Sequence, residues 1–487
     1  MVKQITDYLL YRWRHRLGYV VIGLAVLGLL VVAGFLTPGG LSQQEIESVV
    51  ASDSLSFSLQ ALTPDTVINL PYHLLQRLSL GVFGVSHFSI KLPSLILGLL
   101  SALGMMILLR MWFRHNVAVI SAVLVITTGQ FLFIAQSGTP SIVYIFGSVW
   151  LLVAAMMVSR RLSKTTMWKV ILFSIAALSL YTPLSFYVLA ALLSAVILHP
   201  HLRFIVKQLS KVKLLVAALF ALIILAPLVY ILVRSPATAL VLLGIPSAMP
   251  DIPANALQVL RQYLDFTMPG SGVLMTPIYG LGSMLLIVLG MLHLFTTKYT
   301  ARSYIITAWS VLLLPVLVIN PSVTAVTFVP ILLLMAMGIS TLLSNWYTLF
   351  PRNPYARVAG LIPLAILIGG MVFSGVDRYV YGYLHDPRTA SYFSRDLSLL
   401  NSQLQDKQRG KTTLVVASTE LPFYNVVAKH HPLTTTSAIG QPVVASDTTI
   451  LTQTARAGQP IGDPYRIITS DTSQGADRFY IYKTKKE

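Results

Sequence analysis

Long apolar stretches alternate with short polar segments over the first three quarters of the chain. Eleven such stretches can be delimited, near residues 17–36, 91–109, 117–135, 141–158, 168–181, 183–198, 213–233, 276–295, 303–319, 323–343 and 357–375. Most approach the roughly 20 residues that an α-helix needs to cross a bilayer. The pattern predicts an all-α, polytopic membrane domain of about 11 transmembrane helices.

The hydropathy pattern changes after residue 376. Residues 377–487 hold ten of the 17 acidic residues, and their short apolar runs near 412–417, 465–469 and 479–482 are typical of strands. Residues 387–406 and 422–429 have the pattern of amphipathic helices. We therefore predict two units, a membrane domain over residues 1–376 and a small soluble α/β domain over residues 377–487.

Composition supports the membrane interpretation and excludes several function classes. Hydrophobic residues make up 55% of the chain and charged residues only 11%, whereas soluble domains carry about 25% charged residues. Cysteine is absent, which excludes disulfides, thiolate metal sites and thiol nucleophiles. The sequence contains no P-loop or GxGxxG motif, so ATP-driven transport has no support.

The distribution of basic residues predicts the orientation. With a cytoplasmic N-terminus, 18 of the 22 basic residues before residue 376 fall in inner loops. The four outer ones are Arg77, Lys91, Arg234 and Arg261. This bias satisfies the positive-inside rule, so the net charge of +18 does not require nucleic acid as a partner. We expect a multi-pass plasma-membrane protein whose C-terminal domain is extracytoplasmic.

The acidic residues indicate where the working face lies. Six of the seven acids before residue 376 fall in two long outer loops, residues 37–90 and 234–275, and the inner segments carry only Asp7. Long loops in compact proteins are often functional, although loops also simply tolerate acids. We predict that these two loops form an extracytoplasmic site.

Motifs in the first outer loop and after the third apolar stretch resemble those of a known family. They are residues 39–48 (GGLSQQEIES), 69–75 (NLPYHLL), 80–86 (LGVFGVS), 91–95 (KLPSL) and 136–141 (QSGTPS). In this order they resemble the GT-C glycosyltransferases, most closely the branch of protein O-mannosyltransferases and aminoarabinose–lipid A transferases. The resemblance implies transfer of a sugar from a polyprenyl-phosphate donor to an extracytoplasmic lipid, glycan or protein acceptor.

The sequence departs from the family pattern at acidic positions. Gln44 stands where the family has its first aspartate, and only Glu45 matches the second acid. Asn69 begins the segment that replaces a His-Pro-Pro element, Lys91 replaces an arginine, and Ser141 replaces an aspartate. An inactive GT-C-like scaffold that binds a lipid-linked glycan is therefore an alternative. A transporter or flippase ranks last, because the apolar stretches carry almost no ionisable residues.

The resemblance assigns candidate residues to the chemistry. A lipid-phosphate leaving group needs a general base for the acceptor and cations for the phosphate. Glu45 is the first candidate for the base and Asp65 a substitute, although Ser42 and Glu45 also have the spacing of a capping box. The predicted substrate-binding residues are Gln44, Glu47, Asn69, His73, Lys91, Arg234, Arg261 and Asp265. No cofactor is certain, a divalent cation stays open, and His73 is either a ligand or a structural hydrogen-bonding group.

Overall fold

The structure is a computed structural model. The structure describes residues 9–37, 39–55, 62–160, 165–266, 274–296, 300–349, 354–386, 389, 392–404, 412–431, 433–437, 448–457, 462–469 and 477–483. Helices account for nearly all of the regular structure up to His385, and strands concentrate after it.

Up to His385 the described chain contains 18 α-helices. In order they are α1 (Leu9–Leu36), α2 (Gln43–Asp53), α3 (Pro64–Val67), α4 (Leu70–Phe83), α5 (His87–Trp112), α6 (His115–Ile126), α7 (Gly129–Gln136), α8 (Ser141–Ser159), α9 (Thr165–Ser179), α10 (Ser185–Leu198), α11 (Pro200–Lys207), α12 (Lys211–Arg234), α13 (Ala237–Leu242), α14 (Ile252–Leu264), α15 (Leu281–Thr296), α16 (Ala301–Ile319), α17 (Phe328–Leu349) and α18 (Pro354–His385). A short 3₁₀ turn, Thr324–Thr327, precedes α17.

Six helices in the described part of the chain are long and apolar enough to cross a membrane, or up to eight if each of two bent pairs is one span. Three shorter apolar helices cover Leu17–Val32, Thr166–Ser179 and Leu281–Thr296. The structure thus supports a polytopic helical protein, while the count of 11 spans and the side on which each end lies stay predictions.

The apolar stretch at residues 117–135 is not one straight helix. It forms α6 and α7, which meet at an angle of 61°. The break falls at Thr127 and Thr128, whose hydroxyls donate to the carbonyls of Val123 and Val125, and such side-chain bonds compete with the helical ladder. Hydropathy does not reveal this bend, because the apolar pattern continues across it.

Close approach of two helices depends on a pair of glycines. A Cβ added to Gly290 on α15 would collide with the carbonyl of Leu334, and one added to Gly338 on α17 would collide with that of Leu286. The backbones of α15 and α17 therefore touch, as small residues permit in membrane proteins. This pair of glycines sets the distance between α15 and α17.

The C-terminal part contains a five-stranded sheet. The strands are β3 (Thr412–Val416), β4 (Leu433–Ser437), β5 (Thr448–Thr452), β6 (Arg466–Thr469) and β7 (Asp477–Lys483), in the spatial order β4-β3-β5-β7-β6. Strand β3 pairs in parallel with β4 and β5, whereas β7 runs antiparallel to β5 and β6. Three helices accompany the sheet: α19 (Asp396–Leu404), α20 (Leu421–His430) and α21 (Gln453–Ala457).

The sequence predicted only part of this region. Strands at 412–417, 465–469 and 479–482 coincide with β3, β6 and β7, but β4 and β5 were missed. The helix predicted at 387–406 is interrupted, because Phe393–Ser394 forms a strand, β2, and α19 begins after it at Asp396. Residues 387, 388, 390, 391, 405 and 406 of that prediction lie outside the described residues. The boundary at residue 376 stays a prediction.

The sheet packs on the first outer loop. Strand β2 pairs antiparallel with β1 (Leu41–Ser42), directly before α2. One hydrophobic core contains Val49 and Leu80 from the loop together with Leu414 and Phe423 from the sheet region. The Lys429 ammonium pairs with the Asp53 carboxylate at the end of α2. The C-terminal region therefore holds α2, whose first turn contains Gln44 and Glu45, in place.

Candidate active site

Glu45 lies in the first turn of α2, and hydrogen-bond donors surround its carboxylate. Oε2 accepts from the Ser42 amide at 2.7 Å and from the Ser42 hydroxyl at 3.1 Å, which completes a capping box. Oε1 accepts from the Gly138 amide at 2.6 Å. Only 1% of Glu45 is exposed. Glu45 thus ties the first outer loop to the turn between α7 and α8.

Lys91 completes this buried network. Its Nζ donates to Gln136 Oε1 at 2.8 Å and lies 3.9 Å from Glu45 Oε1. The side chain is 2% exposed, so its charge is balanced within the protein by Glu45. Desolvating two charges is tolerated only with such mutual attraction and additional hydrogen bonds.

His73 belongs to a second buried polar network beneath α2. Its Nδ1 is 2.9 Å from the Ser52 hydroxyl, which also donates to Gln76 Oε1 at 2.7 Å. The Gln76 amide in turn donates to the carbonyls of Ile90 and Gly138. Burial lowers the pKa of His73 to about 4, because charging a desolvated imidazole is unfavourable. His73 is therefore neutral near pH 7 and joins α2 to α4.

A cavity of about 640 Å³, the polar cavity, opens between the two outer loops. Its described lining residues are Gln44, Phe133, Ile134, Ser137, Thr139, Ser141, Gln258, Arg261, Gln262, Asp265, Leu274, Thr276, Ile278, Ser322, Val323, Thr324 and Ala325. Polar side chains thus come from the start of α2, from the start of α8 and from one face of α14. Cavities of this size accommodate small organic ligands.

The charges in the polar cavity come from the end of α14. Among its described lining residues, Asp265 is the sole carboxylate and Arg261 the sole cation. Leu257, Leu260 and Leu264 on α14 are about half exposed. Such an exposed apolar face on an amphipathic helix is typical of a helix at a membrane surface.

A second cavity of about 470 Å³, the lipid-facing cavity, adjoins the first, because Leu274 and Ile278 line both. Leu281 and Ile366 on its rim are 61% and 70% exposed and face outward from the apolar helices α15 and α18. Arg378 also lines it, and the buried Nη2 of Arg378 has no hydrogen-bond partner among the residues the structure describes. A guanidinium nitrogen thus lies unpaired in a largely apolar cavity.

A hydrogen-bonded network lies where the two cavities meet. The Tyr279 hydroxyl donates to Gln130 Oε1, and Gln130 Nε2 donates to the Thr324 carbonyl at 2.9 Å. Tyr263 stacks on Tyr279 with ring centroids 6.3 Å apart, and its hydroxyl is 2.7 Å from that of Thr327. Gln130 and Tyr279 line the lipid-facing cavity and Thr324 lines the polar cavity, so the network joins the linings of both.

Comparisons with solved structures give matches across almost the whole chain. ArnT from Cupriavidus metallidurans in the apo state matches with a TM-score of 0.54 and 13% identity, over 96% of this chain and 98% of that one. The same protein bound to undecaprenyl phosphate matches with a TM-score of 0.52 and 14% identity, over 95% and 97%. The chain has the GT-C fold.

A more distant match and a family match support the same fold. The Archaeoglobus fulgidus oligosaccharyltransferase in the apo form has a TM-score of 0.50 at 14% identity, over 88% of this chain and 65% of that one. Residues 70–231 match the family model of dolichyl-phosphate-mannose-protein mannosyltransferases. Among curated protein sequences, no relative matches significantly.

On this GT-C fold, three of the predicted site residues line the polar cavity together: Gln44, Arg261 and Asp265. Ser141 lines it as well. The two positions where the resemblance leads us to expect acids, Gln44 and Ser141, thus face the cavity, and each carries an uncharged side chain. Asp265 reaches the same space from the second outer loop.

The other predicted residues line neither cavity. Glu45, His73 and Lys91 are buried in the networks described above. Asp65 is exposed on the short helix α3, and Glu47 is exposed and accepts from Gln43 at 3.1 Å.

Asn69 and Arg234 also lie apart from the cavities. Asn69 precedes α4 in a left-handed conformation (φ 58°), and its amide donates to the Tyr181 carbonyl at 2.8 Å. The guanidinium of Arg234 lies over the Tyr230 ring at 4.4 Å. The catalytic and binding functions assigned to the residues outside the cavities stay predictions.

Sequence reasoning missed Arg378. The predicted eleventh span ended at residue 375, whereas α18 continues to His385 and places Arg378 beside the lipid-facing cavity. The available signal was an Asp-Arg pair directly after an apolar run. The predicted site residues also did not include Gln258 and Gln262, which line the polar cavity from α14. Asn255 on the same helix donates to the Ile319 carbonyl at 3.3 Å.

The described residues do not provide a metal site. No group of three or more His, Asp or Glu side chains among them is arranged to hold an ion. In the polar cavity the single carboxylate shares the lining with a guanidinium, and this donor set does not suit a divalent cation, which prefers several oxygen ligands. The divalent cation left open by the sequence therefore has no place in the mechanism below.

Proposed function

We propose that this protein is a membrane glycosyltransferase that transfers a sugar from a polyprenyl-phosphate donor to an acceptor on the extracytoplasmic side. One observation carries the proposal. A lipid-facing cavity with an unpaired guanidinium nitrogen adjoins a polar cavity whose described lining has a single carboxylate. This arrangement suits a reaction in which one substrate comes from the bilayer and the other from water.

The donor fits the lipid-facing cavity. Its isoprenoid chain would lie along the exposed apolar side chains of Leu281, Leu285 and Ile366. Its phosphate would pair with Arg378, since a guanidinium is well suited to bind phosphate. ArnT, which this chain resembles in fold, was solved bound to undecaprenyl phosphate, and this supports a lipid-phosphate donor.

The acceptor fits the polar cavity. Gln258 and Gln262 from α14 supply amide groups for hydroxyl-rich ligands, and Gln262 Oε1 is a buried acceptor without a partner among the described residues. Arg261 would stabilise negative charge that develops on the departing phosphate. We assign the general base to Asp265, the only carboxylate in the described lining.

The reaction then balances as a single displacement. The acceptor hydroxyl gives its proton to Asp265 while its oxygen forms a bond to the anomeric carbon of the sugar. The bond between that carbon and the phosphate oxygen breaks, and its electron pair leaves with the polyprenyl phosphate. Arg378 would hold the phosphate and Arg261 would face it from the adjoining cavity, and the phosphate needs no proton to depart.

The assignment of the base replaces the expectation for Glu45. The contacts of Glu45 with Ser42, Gly138 and Lys91 use both of its oxygens, and a general base must reach its substrate within hydrogen-bond distance. Glu45 supports the site instead, because Gln44 is its neighbour on α2 and the turn at Gly138 leads to Ser141.

Substitution of Asp265 tests the proposal. Asp265→Asn should lower sugar transfer by about 100- to 10,000-fold, the usual effect of losing a general base, with unchanged thermal stability. The matched control is Asp251→Asn on the same helix. Asp251 caps α14 by accepting from the Ala254 amide at 3.2 Å, and asparagine caps equally well. Equal transfer rates for Asp265→Asn and wild type would exclude Asp265 as the base.

A second candidate function has its own supporting observation. Gln44 and Ser141 face the polar cavity without the charges that the family resemblance leads us to expect there, which favours a scaffold that binds a lipid-linked glycan without transferring it. Gln44→Asp distinguishes the two. If the wild type binds polyprenyl-phosphate sugars but consumes none, and Gln44→Asp restores turnover, the scaffold interpretation replaces the enzyme.

A further inference from the structure

A third cavity, the distal cavity, lies at the end of the bundle opposite the proposed site. Helix α8 has 19 residues, begins with Ser141 at the polar cavity and ends with Ser159 at the distal cavity. At a rise of 1.5 Å per residue the two ends are about 27 Å apart. This separation is close to the thickness of the hydrocarbon core, about 30 Å, so an α8 that spans the bilayer places the distal cavity at the other membrane surface.

The distal cavity has a volume of about 440 Å³ and an apolar lining. Apart from Ser159 and Arg302, every described lining residue is apolar, with Met156 and Leu192 as examples. Arg302 is held at one side of it, where its Nη1 donates to the Trp112 carbonyl at 2.6 Å. The cavity thus suits a hydrocarbon chain, with one fixed cation beside it.

The short helix α11 forms one wall of the distal cavity. It turns by 96° from α10, so it lies along the membrane surface if α10 crosses the bilayer. Leu202, Ile205 and Val206 line the cavity. Arg203 and Lys207 project from the adjacent face, one turn apart, and no residue of α11 is buried.

Charge identifies the occupant. Residues 199–213 contain Arg203, Lys207, Lys211 and Lys213 and no acid. Basic residues on an interfacial helix attract anionic lipid headgroups, whereas a zwitterionic headgroup offers no net charge. An apolar chamber beside such a helix matches an anionic phospholipid, which joins a negative headgroup to acyl chains.

We propose that the distal cavity binds an acyl chain of an anionic phospholipid whose phosphate lies against Arg203 and Lys207. This site is separate from the proposed donor and acceptor sites by nearly the thickness of the bilayer. The lipid fastens α11 to the ends of α8 and α16. Its headgroup is held by charge and its chain by burial of apolar surface.

Native mass spectrometry of the purified full-length protein tests the proposal. The probes are 1-palmitoyl-2-oleoyl phosphatidylglycerol and the matching phosphatidylcholine, each titrated separately. We expect the wild type to bind phosphatidylglycerol about tenfold more tightly, and Arg203→Gln/Lys207→Gln to lose this preference. Arg110→Gln/Arg114→Gln is the charge-matched control, because these exposed residues do not line the cavity, and it should keep the preference.

A second variant separates the cavity from the surface charge. Ala155→Phe fills part of the distal cavity and leaves all charges in place, so it should weaken binding of phosphatidylglycerol. Unchanged binding in Ala155→Phe would mean that lipids only adhere to the basic surface, and would overturn the proposal. Equal binding of the two lipids by the wild type, or equal loss in both charge variants, would overturn it too. Sugar transfer is not the readout, so either result leaves the glycosyltransferase proposal to its own test.

Discussion

Glu45→Gln distinguishes a structural carboxylate from a catalytic one. The substitution keeps the size of the side chain but removes its charge and replaces one acceptor oxygen by a donor. In the native network Oε2 receives two donors from Ser42 and Oε1 receives the Gly138 amide. A glutamine has one amide oxygen, which can accept either from Ser42 or from the Gly138 amide. Its NH₂ group would then face the backbone N–H on the other side, and two N–H groups cannot form a hydrogen bond with each other.

The larger cost falls on Lys91. Its ammonium lies 3.9 Å from Glu45 Oε1, a separation at which two unit charges attract by about 4 kcal/mol at an effective dielectric constant of 20. Lys91 keeps its bond to Gln136 but loses its counter-charge while buried. Breaking a buried pair from one side typically costs about 3–5 kcal/mol, so Glu45→Gln should destabilise the fold by that amount.

Thermal unfolding in detergent, followed by tryptophan fluorescence, measures the effect. Glu47→Gln is the matched control on the same helix, and since Glu47 is exposed it should unfold like the wild type. The double variant Glu45→Gln/Lys91→Met also removes the buried ammonium that has lost its counter-charge, and it should recover part of the lost stability. A Glu45→Gln protein with wild-type stability and no sugar transfer would refute this reasoning and return the base to Glu45.

Three further predictions test other parts of the structure. The native state keeps His73 neutral down to a pKa of about 4, whereas the imidazole of the unfolded chain is protonated near pH 6.5. The free energy of unfolding should therefore fall as the pH drops from 6.5 to 4, by about 3 kcal/mol in total. Chemical unfolding at several pH values should show this decrease, and His73→Gln should remove it. Gly338→Ala should lower the melting temperature, since its Cβ would meet the Leu286 carbonyl, although alanine normally stabilises a helix by about 1 kcal/mol; Gly369→Ala, with open space around it, should not. Gly370 lines the lipid-facing cavity, and a Cβ added there would meet open space. Gly370→Leu should therefore weaken the binding of undecaprenyl phosphate in a titration without unfolding the protein, whereas the neighbouring Gly369→Leu should bind it normally. Equal affinities of the two variants for undecaprenyl phosphate would rule out this cavity as the donor site.

Hydropathy predicted the helical part of the fold because membrane helices require long apolar stretches. It failed where the fold depends on a few polar contacts, as at the bend between α6 and α7. It also missed β4 (LTTTS) and β5 (TTILT), whose threonines read as loop residues although Thr448 and Thr449 are buried in the sheet. Threonine favours strands once its neighbours cover it, which a single sequence does not show.

The meeting of the two outer loops at one cavity was predictable from the sequence, and the function of that cavity stays a prediction. The acids of the two outer loops pointed to their junction, where Gln44 and Asp265 line one cavity. The spacing of Ser42 and Glu45 predicted a capping box, and the structure contains it. Arg378 could not be found by this route, because it is distant in sequence from both loops and only the packing of α18 places it there.

The most direct test of the glycosyltransferase proposal is the content of polyprenyl-phosphate sugars in cell membranes. Mass spectrometry would compare cells that lack the protein with cells complemented by wild type, Asp265→Asn or Asp251→Asn. We predict that one polyprenyl-phosphate sugar accumulates without the protein and with Asp265→Asn, and falls with wild type and Asp251→Asn. The same lipid-linked sugars at the same levels in all four strains would contradict the account.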